Sequence, residues 1–358
     1  MADVTTITNV RVFDGNGLVG PRDVRLSAVV DDPDGGSATH TIDGTGMVLL
    51  PGLIDAHTHT HERQNLADLA RWGVTTALDM ATWPLPVVRE LRRQEGVADL
   101  RSSLIPAVGP GGSHARLPGF PTEGIVRTPE QGRAFVVRRI AEGADYIKIV
   151  AEDTPSIGMD EATVRAIVDE AHERGQRVVA HAVTAGAYRL AVAAGVDVLA
   201  HAPLDETLDD ASVERLAETG RVVSPTLVMM EGVARRPGLD DAHARASVAK
   251  LHRAGVPVLA GTDCNAAPGV PWSPKHGESL HRELELLVDT GLSPVEAIRA
   301  ATSAVAAAFS LHDRGDLGTG HRADAVLIDG DPTADITTTR KIRGVWIAGQ
   351  AVDMAAGR

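Results

Sequence analysis

The sequence predicts an α/β chain: a (β/α)8 barrel with a small β domain assembled from both chain ends. Three observations carry that prediction. Between positions 51 and 311, short apolar runs alternate with stretches of helical period, giving strand–helix units over about 250 residues, the size and rhythm of such a barrel. Many of the helical stretches end at a glycine just before the next apolar run, at Gly73, Gly175, Gly195, Gly220 and Gly255, which is C-cap chemistry. The flanks, 1–50 and 312–358, read as strands and turns. An open doubly wound sheet has a similar rhythm and is the structural alternative.

Taken in order, Thr6–Phe13 alternates imperfectly, and Asp14-Gly15-Asn16-Gly17 and Asp31–Gly36 are turn signals. Barrel strands are expected at Leu53–His59, Val74–Met80, Ser103–Val108, Tyr146–Val150, Arg177–Ala182, Val196–Ala202, Val222–Leu227 and Val256–Thr262. Helices are expected between them, among others at Asn65–Trp72, Pro86–Gln94, Asp160–Arg174, Ala185–Ala194, Ala211–Thr219 and Asp241–Ala254, with two more at His276–Thr290 and Ser293–Phe309. Strands return at Ala325–Ile328 and Val345–Ala348. The economical inference is one β-sandwich domain made from 1–50 and 312–358, flanking a barrel at 51–311.

Composition narrows the function. The 358 residues carry a formal net charge of −13, which argues against nucleic acid or an anionic membrane as the main partner. A lone cysteine, Cys264, excludes an intrachain disulfide framework and a cysteine-rich zinc module. No apolar run approaches the roughly 18–20 residues of a membrane span, and Met1–Asp14 lacks a signal pattern, so a reduced, cytoplasmic compartment is expected. A homo-oligomer is compatible with the chain. Lysine occurs only at 148, 250, 275 and 341, so 31 of the 35 basic residues are arginine, beside 14 histidines. Each lysine is therefore informative.

The polar residues that end the predicted strands carry the chemistry. His57 and His59 are two apart on the first strand and so share a face, which suits a metal ion; a polar loop also uses such pairs, and His61 continues the period past the strand. Lys148 stands between Ile147 and Ile149. Poor solvation there favours the neutral amine, which can add carbon dioxide to become a carboxylate-like carbamate; a lysine snorkelling from a strand edge is the plainer reading. His181, His201 and Asp263 each follow an apolar run. Any one could be a bonded core group, but together they mark the strand ends where barrel active sites lie.

With those residues in view the chain resembles the amidohydrolase superfamily, closest to its imidazolonepropionase-like and prolidase-like members. The resemblance spans nearly the whole chain. It is carried by Pro51-Gly-Leu-Ile-Asp-Ala-His57-Thr-His59, Ile-Lys148-Ile, His181, His201, Ala260-Gly-Thr-Asp263, Ala301-Thr-Ser303 and Gly318–Ala325. It implies a distorted barrel and a binuclear centre. His57, His59 and Asp263 would hold one divalent ion, His181 and His201 the other, and Lys148 as N6-carboxylysine would bridge them. Zinc is the expected ion; manganese, iron and cobalt also suit the donors. A bridging hydroxide would attack an amide-type C–N bond, peptide or other, with Asp263 as general acid and base. A one-metal deaminase-type site is the alternative. Such sites usually place a glutamate soon after the strand-five histidine, whereas here His181 is followed by Ala-Val-Thr-Ala-Gly-Ala-Tyr. An ester or phosphotriester hydrolase, a metal-dependent lyase or decarboxylase and a non-catalytic scaffold complete the alternatives.

Substrate contacts are expected on the loops. In Gly109–Arg116, His114 and Arg116 suit a substrate carbonyl or carboxylate, though a plain surface loop reads the same way. Tyr188 follows the fifth strand. Trp83 and the stretch 264–276, with Pro268, Pro271, Trp272 and Pro274, are candidate pocket walls. Cys264 reads as packing, and His276 and His281 as structural. The implied substrate is small: an N-acyl amino acid, an Xaa-Pro-like dipeptide or a cyclic amide.

Overall fold

The computed structural model describes residues 4–32, 35–153, 157–236, 240–267 and 272–354. Its strands are β1 (Thr5–Phe13), β2 (Leu18–Leu26), β3 (Val30–Asp31), β4 (His40–Asp43), β5 (Met47–Pro51), β6 (Leu53–Thr58), β7 (Val74–Asp79), β8 (Asp99–Ser102), β9 (Ile147–Val150), β10 (Val178–His181), β11 (Val198–Ala200), β12 (Val222–Ser224), β13 (Ala325–Asp329), β14 (Ile342–Ile347) and β15 (Gln350–Ala351). The helices are α1 (Arg63–Arg71), α2 (Leu85–Leu91), α3 (Pro129–Glu142), α4 (Glu161–Glu173), α5 (Ala185–Ala194), α6 (Asp210–Thr219), α7 (Leu227–Val233), α8 (Ala242–Arg253), α9 (Glu278–Asp289), α10 (Pro294–Ala300) and α11 (Ser303–Ala308).

Two parallel sheets form the α/β core, in the orders β6-β7-β8 and β12-β11-β10-β9. Alternate residues along a strand face opposite ways. Ile54, Val179, Val198 and Leu259 share one cluster, while their neighbours Val178, Ala180 and Leu199 pack with the helices. The expected glycines do end helices: Gly195 and Gly220 cap α5 and α6 in the left-handed conformation, and Gly73, Gly175 and Gly255 also have positive φ.

Two expected strands are displaced. The third lies at Asp99–Ser102 rather than Ser103–Val108, because Leu104 turns to a φ of 61° and Pro106 has no amide to donate. Ala107 then resumes pairing, donating to Lys148 O at 2.8 Å. The eighth, Val256–Thr262, is no regular strand. Its groups bond to separate neighbours: Leu259 N donates to Val223 O at 2.8 Å, Ala260 N to Ala300 O at 2.8 Å, and Ala260 O accepts from Ala56 N at 2.9 Å. The expected helix Ser293–Phe309 is broken into α10 and α11, since the carbonyls of Ala300 and Ala301 turn to accept from Ala260 and from Ile54 (2.7 Å) instead of continuing the helix. Helix α3 was not anticipated, although Thr128 caps it, Pro129 opens it and Gly143 closes it.

The chain ends meet in one eight-stranded sheet, ordered β15-β14-β13-β5-β1-β2-β3 with β4 on β1. Val48, Leu50, Val326, Ile328, Val345 and Ile347 pack with helix residues such as Leu66 and Leu69. The intervening Leu49, Leu327 and Trp346 join Ile7, Val12 and Leu26 in a separate core. Trp346 Nε1 donates to Thr5 Oγ1 at 3.3 Å, across β13 and β5, which lie between their strands in the sheet order, so the sheet curls over that core. Among the described residues no helix is long and apolar enough to cross a membrane.

His281 joins α9 to this arrangement. Its Nε2 donates to Trp72 O at 3.1 Å and its Nδ1 is hydrogen-bonded to Thr339 Oγ1 at 3.0 Å. Burial lowers its pKa to about 4, against about 6.5 in an unfolded chain. Between those values the unfolded state binds the extra proton, so stability should fall as pH drops from about 6.5 to 4, by at most about 3 kcal/mol from this residue. Urea unfolding of wild type and His281→Gln across that range should show the slope diminished in the variant; equal slopes would exclude the contribution.

Candidate metal centre

His57 near the end of β6, His59 just beyond it and Asp263 after the eighth segment each offer a ligand atom, all within 4.8 Å of one another. Nε2 of His59 lies 3.0 Å and Nε2 of His57 3.5 Å from Asp263 Oδ1. His201 follows β11, with its ring centroid 4.8 Å from that of His57 and 4.4 Å from that of His181 at the end of β10. Its Nδ1 is 3.9 Å from Asp263 Oδ2, so the carboxylate stands between the first histidine pair and His201. Lys148 on β9 is buried. Its neighbours Ile147 and Ile149 pack with the helices, which turns the amine inward.

The electrostatics follow from crowding. Burial, with the nearby Lys148 and imidazoles, pushes His57 and His181 well below the ordinary histidine range. Burial chiefly takes His201 to about 3, and burial lowers Lys148 to about 7. Burial opposes ionisation of Asp263, but the bond from His59 and the surrounding basic groups lower its pKa overall. That bond likewise raises His59 overall against its own burial. His57 Nδ1, His201 Nε2 and Lys148 Nζ are buried with no hydrogen-bond partner. Neutral imidazoles with free lone pairs beside one ionised carboxylate fit a divalent cation.

The backbone is bent to aim these groups. His201 and Asp263 have φ of 75° and 58°, left-handed values that non-glycine residues adopt at a cost of order 1–3 kcal/mol. Asp263 N donates to His57 O, and His201 N to Ser224 O, both at 2.8 Å. Asp55, which the sequence reading passed over, is fully buried. It accepts from His57 N (3.1 Å), Thr262 N (3.0 Å) and Thr262 Oγ1 (2.7 Å), tying the two ligand-bearing segments together. Its place two residues before His57 was the available signal. His276 Nε2 donates to His59 O at 2.9 Å, a supporting role, while His61 turns to Asn265.

The expected substrate residues divide. His114 belongs to a short 3-10 turn and sets its ring edge-on to His181, centroids 4.7 Å apart; burial lowers its pKa to about 4. Arg116 is exposed and donates to Gly111 O at 2.8 Å, so its guanidinium braces its own loop instead of reaching inward. Tyr188 is a correction. It is completely buried, and its hydroxyl donates to His201 O at 2.5 Å, so it holds the backbone of His201 rather than a substrate. Glu152, absent from the sequence reading, accepts from Ser113 N at 2.8 Å and secures the His114 loop. Trp83 packs edge-on against Phe120 of that loop, centroids 5.5 Å apart. Trp272 stacks under Arg235, whereas Pro268 and Pro271 lie outside the described residues. Cys264 is buried, and burial raises its thiol pKa, as packing requires.

An α/β fold with imidazoles and a carboxylate gathered at strand ends defines a metal-dependent hydrolase type. Residues 48–352 match the Amidohydrolase family, and the chain belongs to it. It is 29% identical over 364 residues to an imidazolonepropionase of Deinococcus deserti, with 88% of this chain and 87% of that one covered. A Xaa-Pro dipeptidase with bound methionine is similar in fold, with a TM-score of 0.82 and 22% identity over 98% of this chain and 99% of that one. A putative prolidase from Bifidobacterium longum gives 0.79 and 26%, covering 98% and 95%. The chain is thus a hydrolase of a family that acts on C–N bonds with divalent metal.

Two variants test this geometry. A Cβ on Gly261 would lie 2.4 Å from Ser224 Oγ and 2.9 Å from His57 Cβ, so Gly261→Ala should weaken zinc binding roughly 10- to 100-fold in chelator competition; unaltered affinity would show that His57 is not displaced. Tyr188→Phe should cost about 1–3 kcal/mol of stability while leaving KM within about twofold; a tenfold rise in KM would return Tyr188 to the substrate.

Proposed function

We propose that the protein is a binuclear metal-dependent amidohydrolase. One observation carries this reading: Lys148 Nζ is buried without a partner near His57, His181, His201 and Asp263, whose pKa values it influences. A lone ammonium is costly there, whereas a carbamate on the neutral amine turns the same position into an anionic ligand. His57, His59 and Asp263 would hold one ion and His181 and His201 the second, with carboxylated Lys148 between them. Zinc is the first choice of ion, with manganese, iron or cobalt also suited to the donors. When bound, such ions supply Lewis acidity toward the scissile carbonyl and lower the pKa of a water to about 7.

The chain's own residues do the rest. Asp263, ionised and placed between the imidazoles, takes the proton of the attacking water and delivers it to the leaving nitrogen as the C–N bond breaks. His59 Nδ1 donates to Ala81 O at 3.3 Å, which orients the ring with Nε2 toward Asp263; Nε2 would face an ion once it gives up the proton it now shares with that carboxylate. His114 reaches over His181 and is the loop residue placed to meet the substrate. The substrate classes we favour are Xaa-Pro dipeptides, N-acyl amino acids and cyclic amides, supported by the imidazolonepropionase and prolidase relatives. The site sits on a closed, distorted (β/α)8 barrel at 51–311, supported by the bonds of Ala107 and of the Val256–Thr262 segment to both sheets, with 1–50 and 312–358 as a β-sandwich domain. A reducing cytoplasm suits the lone, buried Cys264.

A one-ion centre is the second reading. It is favoured by the compactness of His57, His59 and Asp263, the one group of three such side chains found close enough among the described residues. Metal content decides. The binuclear reading expects about two ions per chain, falling to one or fewer in Lys148→Ala and partly restored by a small carboxylate. One ion in both proteins would overturn it. Hydrolysis of a panel of Xaa-Pro dipeptides, N-acyl amino acids and lactams then assigns the substrate.

A further inference from the structure

We propose that Glu283 of α9 is a positioning residue for the metal-facing imidazole of His201, acting through the first turn of α7; the proposal rests on the reading of His201 as a metal ligand. Thr226 occupies the N-cap of α7, where a threonine ordinarily lends its side-chain oxygen to an amide of the first turn. Thr226 makes no such bond. Those amides are taken by Glu283 instead: Leu227 N donates to Oε1 at 3.0 Å and Val228 N to Oε2 at 2.7 Å. Glu283 is completely buried, and its carboxylate faces the positive end of the helix.

Capping from outside leaves the Thr226 hydroxyl free, and it is hydrogen-bonded to His201 Nδ1 at 2.9 Å. That bond fixes the ring and leaves Nε2, which has no protein partner, as the nitrogen available to an ion. Thr226 also holds a φ of 47°, a left-handed value that is an outlier for a β-branched residue. Glu283 pins the two amides immediately after it. The carboxylate bonds to none of the six proposed ligands; its influence on the centre runs through Thr226. Without Glu283, the first turn of α7 would have open donors, and the hydroxyl of Thr226, as the N-cap residue, is of the type that satisfies them. Capping would then compete with the bond to His201.

The experiment uses the full chain, with zinc affinity read by chelator competition and the visible absorption of the cobalt-loaded protein as an independent signature. Glu283→Ala should weaken binding of one ion about 10- to 100-fold and shift the cobalt bands. Thr226→Val should do the same, Thr226→Ser should retain most affinity, and the double variant should lose little more than Thr226→Val alone. A Glu283→Ala protein with a lower melting temperature but unchanged zinc affinity and cobalt spectrum would overturn the proposal, as would losses that multiply in the double variant. Should Glu283→Ala fail to fold, Glu283→Gln, which keeps one acceptor, should show an intermediate loss; wild-type affinity there would count against the role. His201→Ala separates the two layers. If it binds zinc normally, the ligand reading of His201 fails; if it loses an ion while the Glu283 variants do not, only the positioning role fails.

Discussion

Several basic groups are buried in one small space, and none can take a proton without opposing the others. This repulsion is the constraint on which the centre depends. It holds His57, His181 and His201 neutral and leaves Asp263 as the ionised partner. A histidine that stayed protonated would offer no lone pair. The burial that penalises charge thus keeps a set of open donors in place, and the atoms left without partners are what a divalent ion would satisfy.

Such a cluster does not assemble from regular strands alone. A ladder directs successive side chains to alternate faces at fixed spacing, whereas the groups here converge. The strand ends therefore leave the ladder: His201, Thr226 and Asp263 all turn to positive φ where β11, β12 and the eighth segment finish. Each bend is held by bonds from outside the donor set. Asp55 clamps β6 to Thr262, Tyr188 takes the carbonyl of His201, and Glu283 takes the two amides that follow Thr226. Strain of this kind persists only where the surroundings over-determine it, and here the surroundings are fully buried hydrogen bonds.

This explains what was legible in the sequence. Helix ends were readable because a left-handed C-cap calls for glycine, and Gly195 and Gly220 supply it. The histidines, Lys148 and Asp263 stood out because each interrupts or ends an apolar run. The bends were not readable, since His201, Thr226 and Asp263 carry no glycine to announce them. The eighth segment looks like a strand because it is apolar, yet its bonds go to separate neighbours. Helix α10 stops at Ala300 for a reason found only in tertiary contact, the claim of Ala260 and Ile54 on its last carbonyls. Tyr188 and Arg116 show the same limit: residue type suggests substrate contact, whereas the bonds each side chain makes, inward to a carbonyl for one and back to its own loop for the other, are not written in residue type.

Helix α9 shows how distant parts of the chain reach the centre. Residues two apart on a helix point about 200° apart, so His281 and Glu283 serve different neighbours. His281 meets the end of α1 and Thr339 beyond β13, while Glu283 meets the start of α7. Burial works against the charged form of both, lowering the pKa of one and raising that of the other. Leucine at either position would avoid that cost but could supply no bond, and Leu280, Leu284 and Leu287 already bury the apolar stripe of the helix. The polar pair therefore adds direction rather than cohesion. It fixes α9 against the unit built from the chain ends on one side and against the turn that carries Thr226 on the other. The orientation of His201 thus draws on a helix more than seventy residues further along the chain, and a strand-by-strand reading of the sequence has no means of finding it.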